Sequence, residues 1–409
     1  MSSNPQIPTG TAFARRLAVF YAALFVALGV QLPFLPVWLA AKGLDAGAIG
    51  VVLAIPMLVR VPAIPLATRQ ADRHDALRGA IIIAAAAAVL GYGVVGLAQG
   101  AAAIMAAFAF ASAFYTPIMP LADAYAVRGL GQFRRAYGPV RLWGSLAFIA
   151  GSFGAGILLD LIPAGDLIWL IVVALAVTAA AAGALAPFAA APVASDLAEG
   201  TADRAGPAVP AVAPDVWRGR AFLAVAIAAS LIQASHAVYY GFSTLEWRAA
   251  GLDGAAIGAL WALGVVAEIA LFAVSGRLRV GPTALIMIGA TGAVIRWSAM
   301  ALAPPAALLP ILQCLHGLSF GATHLGAIGF IARAAPAALG ATAQGYLAVA
   351  QGVAMAVAMG VSGLLYARWG SLAYAAMASV AAAGGLLAFA ARSPRLIGRS
   401  DTSPRVRGR

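Results

Sequence analysis

Trp38-Leu-Ala-Ala-Lys-Gly-Leu-Asp-Ala-Gly-Ala-Ile-Gly50 has a second copy further along the chain, Trp247-Arg-Ala-Ala-Gly-Leu-Asp-Gly-Ala-Ala-Ile-Gly258. Gly-Leu-Asp and Ala-Ile-Gly keep nearly the same spacing in both, and the offset is about half the chain. Each copy joins two long apolar runs. Placing like with like in the same orientation predicts two similar halves related by an axis along the normal of the layer they cross.

The composition says what that layer is. Of 409 residues, 63% are hydrophobic and 10% charged, and the mean hydropathy is +0.94. A soluble domain carries roughly a quarter charged residues, so the excess apolar surface has to face lipid. A span needs about 20 mostly apolar residues. Twelve such runs are predicted, at 17–41, 49–68, 79–98, 101–127, 138–160, 165–187, 219–245, 255–276, 282–302, 306–333, 340–366 and 371–391. The fold class is therefore an all-α integral membrane protein, with twelve transmembrane helices in two six-helix pseudo-repeat bundles. The run at 17–41 is longer than a signal-peptide core and is broken by Pro33 and Pro36, so it is expected to be a retained first helix.

The charges orient the chain. With the N-terminus inside, twenty basic residues fall on cytoplasmic segments and three, Lys42, Arg248 and Arg368, outside, a strong positive-inside bias. This predicts a multi-pass protein of the cell (inner) membrane with both termini cytoplasmic. The bases occupy loops and a tail rather than a stripe, so the net charge of +12 does not indicate nucleic acid. The expected organisation is a bundle at 1–187, an Ala/Pro-rich cytoplasmic linker at 188–218, a second bundle at 219–391 and a basic tail at 392–409. Cys314, the lone cysteine, offers neither disulfide nor metal cluster and is expected to be a small core residue. Neither metal nor cofactor is expected.

Ionisable residues inside spans are costly and usually mark a pathway. They are Arg60, Asp123, Arg141, His236, Glu268, Arg296, His316 and His324. Asp123 and Arg141 fall at similar depth on consecutive antiparallel helices, which predicts a buried ion pair serving as a structural clamp, a gate or a binding site. Glu268 and His316 lie near mid-membrane, where either can carry a proton. Three intramembrane arginines face two carboxylates. Arg60 is the one left over, and an arginine fork suits a carboxylate, so an organic anion is the expected substrate. An acid folding inward, such as Glu246, would cancel that surplus. Trp143, Phe148, Tyr239, Tyr240, Phe242 and Trp261 are aromatic candidates for a cavity wall. Gly317, Gly321, Gly360 and Gly363 are expected at close helix contacts.

Several segments resemble a known family. Tyr137-Gly-Pro-Val-Arg-Leu-Trp-Gly-Ser-Leu-Ala-Phe-Ile-Ala-Gly-Ser152, Ala237-Val-Tyr-Tyr-Gly-Phe-Ser243, Leu260-Trp-Ala-Leu-Gly-Val-Val-Ala-Glu-Ile269 and Leu32-Pro-Phe-Leu-Pro-Val-Trp38 are similar to the phenylpropionate permease group of the major facilitator superfamily, which is related to the lactose permease. Ala71-Asp-Arg73 with Arg78, and Gly276-Arg-Leu-Arg279, look like degraded copies of that superfamily's loop signature. The resemblance implies proton-coupled uptake of 3-phenylpropionate-like acids. It implies that Arg141 binds substrate with Asp123 as its acidic partner, that Phe148 stands where a sugar-stacking tryptophan would be, and that Glu268, Arg296 and His316 form a coupling cluster. Ser319 stands where the lactose permease has its proton-carrying glutamate, so Glu268 or His316 would have to serve.

The expected function is thus secondary active transport of a small organic anion by alternating access. Substrate-binding candidates are Arg60, Asp123, Arg141, Phe148, His236, Tyr240 and Arg296, with Glu268 and His316 as proton-coupling candidates. A proton-coupled nucleoside or oligosaccharide symporter is the alternative, and a multidrug exporter comes third. No nucleophile-base signature or metal spacing points to an enzyme. The expected partners are a small-molecule substrate, protons and the lipid bilayer, and the expected state is a monomer.

Overall fold

The structure, a computed structural model, describes residues 9–188, 219–277, 279–334 and 340–391, and among these residues it is helical with no strand. In chain order the spans are α1 (Gly10–Ala41), α2 (Ala46–Arg73), α3 (Leu77–Leu97), α4 (Ala101–Gln132), α5 (Gly138–Leu159), α6 (Leu167–Gly183), α7 (Arg220–Ala249), α8 (Gly254–Ser275), α9 (Pro282–Ala301), α10 (Ala306–Ala334), α11 (Gly340–Trp369) and α12 (Ala373–Ala390). The expected linker falls, apart from Phe188, outside the described residues, and the expected tail at 392–409 does so entirely. Leu90, Leu161, Leu302 and Leu386 are each at least 70% exposed. Water would penalise that apolar surface, whereas hydrocarbon accepts it.

The repeated segment is a stop-and-start device. Gly43 and Gly251 adopt left-handed backbone, with φ of +81° and +87°, which side chains with a Cβ rarely tolerate. The next residue then donates back to the ending helix, Leu44 N to Leu39 O at 3.2 Å and Leu252 N to Trp247 O at 3.0 Å, a Schellman closure. One residue on, Asp45 and Asp253 cap the next helix, accepting from Ala48 N and Ala256 N at 2.7 Å each. Such a cap contributes about 1 kcal/mol. Asp253→Ala is expected to lower the stability of the detergent-solubilised protein by about that amount, read as a small drop in thermal midpoint.

The same segments hold the halves together. The turn between α1 and α2 defines one end of the bundle, called here the far end; α1 begins at the near end. At the far end α2 packs on α11 and α5 on α8. A Cβ added to Gly50 would lie 2.8 Å from Met359 O, and one on Gly363 would lie 2.4 Å from Ala46 O. At the other seam, a Cβ on Gly258 would lie 2.5 Å from Ser152 O and one on Gly254 2.0 Å from Gly156 O. Gly254 N also donates to Asp160 Oδ2 across this seam at 2.7 Å. These backbones touch because no side chain intervenes.

At the near end Arg78, at the start of α3, donates to Gly183 O (2.9 Å) and Leu185 O (2.7 Å) at the end of α6 and just beyond it. The Asp75–Arg128 ion pair lies there too, and the guanidinium holds the Asp75 carboxyl below its usual range. Two expectations about packing are corrected. Cys314 is exposed on α10 rather than buried, and Gly360 has nothing within 4 Å of an added Cβ. Gly317, by contrast, packs closely on α8, where an added Cβ would lie 2.8 Å from Ala267 O.

Candidate substrate cavity

Breaks in three helices shape the centre of the bundle. α4 is interrupted at Thr116-Pro117, α7 at Ser235-His236, and α10 carries a π-helical stretch, Gly317–Ala322. Interrupted helices free backbone groups and widen the space between neighbours, which is why they recur where membrane proteins bind ligands.

Two adjacent lobes lie there. The larger, about 380 Å³, is bordered by Arg60 and Met57 of α2, Gln31 of α1, Tyr115 of α4, His324 of α10 and Gln351 of α11. Its roof is Met359, beside the Gly50 contact, and it extends toward the near end past Ala348 and the exposed His324. The smaller, about 240 Å³, is bordered by Arg141 and Phe148 of α5, Trp261 and Glu268 of α8, and Tyr239 and His316. Leu28, Leu32, Tyr240 and Phe320 border both. Both halves therefore contribute to each lobe.

Arg60 makes no hydrogen bond or ion pair among the described residues; the one ion pair there is Asp75–Arg128. Glu246 does fold inward, its Oε2 buried, so the expected surplus by count is cancelled; it lines neither lobe, however, and Arg60 keeps no carboxylate partner among the described residues. Glu268 is the single carboxylate in either wall, and it shares the smaller lobe with Arg141.

The expected Asp123–Arg141 ion pair is not formed. Asp123 Oδ1 accepts from the hydroxyls of Tyr21 (2.6 Å) and Tyr137 (2.8 Å). The Arg141 guanidinium instead lies 4.0 Å from the Phe25 ring centroid and 5.6 Å from that of Tyr21. Tyr21, from a third helix, supplies the carboxylate's donor, and ring faces supply the cation's partner. Asp123 is thus a support for the wall and lies outside the lining of either lobe.

Arg296 and His236 are likewise set behind the wall. Arg296 is fully buried, donates to Gln313 Oε1, to His316 Nδ1 at 3.0 Å and to Ser319 Oγ at 3.4 Å, and is flanked by the Tyr239 and Trp297 rings. His236 Nε2 meets Ser319 Oγ at 3.1 Å, and its ring stacks on Tyr240 at 5.6 Å. Because Arg296 donates to its Nδ1, neutral His316 keeps its proton on Nε2. Ser319, at the position for which the resemblance implies an acid, accepts from Arg296 and donates to His236 Nε2, because the His236 Nδ1 proton is turned to the Ile232 and Gln233 carbonyls.

Among the aromatic candidates, Phe148, Tyr239, Tyr240 and Trp261 line the cavity. Trp143 is 56% exposed and faces outward, and Phe242 stacks on Tyr366 at 4.5 Å away from either lobe. A scan for charges passes over Gln31, Gln233 and Gln351. Amides inside apolar spans are the signal that finds them, since each must find a partner there.

Comparison with known proteins agrees with this architecture. The MFS_1 like family profile matches residues 14–377. A probable 3-phenylpropionic acid transporter of Escherichia coli (strain K12) is 33% identical over 375 residues, covering 90% of this chain and 95% of that protein. The maltose permease of Geobacillus stearothermophilus is 28% identical over 359 residues, covering 86% and 87%. The crystal structure of the nucleoside transporter NupG superposes with a TM-score of 0.75 at 17% identity, covering 94% of this chain and 99% of that one. A bacterial homolog of the human lysosomal transporter Spinster, inward-facing and unoccupied, gives 0.72 at 13% identity, covering 94% and 97%. The chain belongs to the MFS_1 like family and is a multi-pass membrane transporter of the major facilitator type.

Proposed function

We propose that this transporter imports a small organic anion of the 3-phenylpropionate class together with protons. The observation that carries the reading is Arg60, a guanidinium in the wall of the central cavity with no carboxylate partner among the described residues. A carboxylate accepts two parallel N–H bonds from that fork, and the aromatic and aliphatic lining suits an aryl group. The relative from Escherichia coli, described as a probable 3-phenylpropionic acid transporter, supports the same class.

In this reading the near end faces the cytoplasm, as the distribution of basic residues favours, and the cavity opens inward while the glycine seams close the far end. Rocking of the halves would open those seams and close the near end. Glu268 and His316, with Arg141 in the same lobe, are the proton-carrying candidates. The amides of Gln31, Gln233 and Gln351 favour a second reading, a nucleoside or sugar taken up with protons.

The test is uptake of radiolabelled 3-phenylpropionate into proteoliposomes under an inward proton gradient. Accumulation above equilibrium that a protonophore abolishes is expected. Its absence with demonstrably folded protein would overturn the anion reading and favour the neutral substrates.

A further inference from the structure

Two buried amide atoms at the wall of the Arg60 lobe are left without partners by the protein itself. Gln31, 9% exposed, donates through Nε2 to the Tyr92 hydroxyl at 2.6 Å. Its Oε1 is buried and has no hydrogen bond among the described residues. Gln351 lines the same lobe from α11, and its Nε2 is buried without an acceptor among those residues. The side chains of Arg60, Gln351 and Gln31 all border the lobe, with the Gln351 donor and the Gln31 acceptor lying just under its surface.

Their setting says what lies between them. Tyr92, which anchors Gln31, packs edge-on against Phe108 at 5.8 Å and Tyr115 at 5.7 Å, and both of those rings line the lobe. The acceptor thus belongs to an aromatic wall. Buried polar atoms in native proteins are nearly always partnered, and the exceptions in a binding cavity are the atoms a ligand is placed to satisfy. A site built around such an atom discriminates against analogues lacking the matching group more sharply than an apolar pocket does.

We infer that the preferred substrate is an aromatic carboxylate whose ring bears a hydrogen-bond donor, a hydroxyl group. As each amide turns into the lobe on binding, the carboxylate meets Arg60 and Gln351 Nε2, and the hydroxyl donates to Gln31 Oε1. This rests on the anion reading above and narrows it from arylalkanoates in general to hydroxylated ones. No bond is made or broken; the hydroxyl exchanges a hydrogen bond to water for one to the amide.

The experiment is competition against labelled 3-phenylpropionate in proteoliposomes of the full chain. Competitors are the ortho, meta and para hydroxy derivatives and the matching methoxy compounds, which can accept but not donate. At least one hydroxy derivative should compete about tenfold better than unlabelled 3-phenylpropionate, the factor one added hydrogen bond supplies, and its methoxy counterpart should not. Gln31→Met and, independently, Tyr92→Phe, which frees the anchor of the amide, should collapse that ratio. Transport of 3-phenylpropionate with no advantage for any hydroxy derivative, or an equal advantage for methoxy, would overturn this inference and leave the anion reading intact. Failure of folded protein to recognise any of these acids would overturn both.

Discussion

Arg60→Gln is expected to reduce 3-phenylpropionate uptake about a hundredfold at low substrate concentration, because removing one partner of a desolvated charge pair costs about 3 kcal/mol. Arg60→Lys keeps the charge but loses the planar fork, so an intermediate loss of about tenfold is expected. Stability separates this from a structural effect. The Arg60 guanidinium is partly buried with no carboxylate paired to it among the described residues, so taking it away removes a desolvated cation and breaks no pair. The thermal midpoint of Arg60→Gln should therefore be unchanged or raised, and 3-phenylpropionate should protect the parent against heat but not the variant. Parental KM and uptake in Arg60→Gln would remove the anion reading's main support. A lowered midpoint with parental KM would assign Arg60 to packing.

What the sequence discloses and what it withholds divide along a physical line. Span positions are legible because hydrocarbon thickness forces about 20 apolar residues per crossing, and the structure places helices over all twelve predicted runs. The Gly-Leu-Asp repeat is legible as a repeat; its meaning, a left-handed stop at Gly43 and Gly251 followed by an aspartate cap, needs the backbone. Depth is readable at about 1.5 Å per residue, whereas the direction a side chain takes around the helix turns by about 100° per residue. Asp123 and Arg141 show the consequence: similar depth suggests a pair, but Tyr21 from α1 takes the carboxylate. Apolarity is equally silent about which way a residue faces, since lipid is as apolar as a packed interior. The expectations for Cys314, Trp143 and Gly360 fail for that reason. Arg296 and His236 are recognisable as polar groups within spans, but whether such a group lines a cavity or stands one layer behind it is decided by neighbours from other helices, here Tyr239, Tyr240 and His316.

Gly258→Leu should abolish net transport, leaving about one part in a hundred or less, while the protein still folds and inserts. An added Cβ alone would lie 2.5 Å from Ser152 O, and that atom belongs to a helix backbone that cannot rotate away as a side chain does. The overlap exists only while the far-end seam is closed, so the substitution penalises one conformation and not its alternative. A bias of about 3 kcal/mol is enough to shift a balanced pair of states about a hundredfold, and a leucine wedged between two backbones readily exceeds that. Alternating access then stalls with the far end open. Gly363→Leu, 2.4 Å from Ala46 O on the other seam, should act in the same way, whereas Gly154→Leu on the same helix as Ser152 has open space around its Cβ and should transport normally. Accessibility distinguishes a jammed gate from a misfolded protein. With Cys314 replaced by serine and a single cysteine placed at Leu53, in the wall of the larger lobe, a membrane-impermeant maleimide added from the far side should label Gly258→Leu at least about tenfold faster than the parent, as the far-open population grows. Parental transport and labelling in both glycine variants would mean that the far-end contacts part without needing these glycines, and the glycine seams would no longer explain closure of that end.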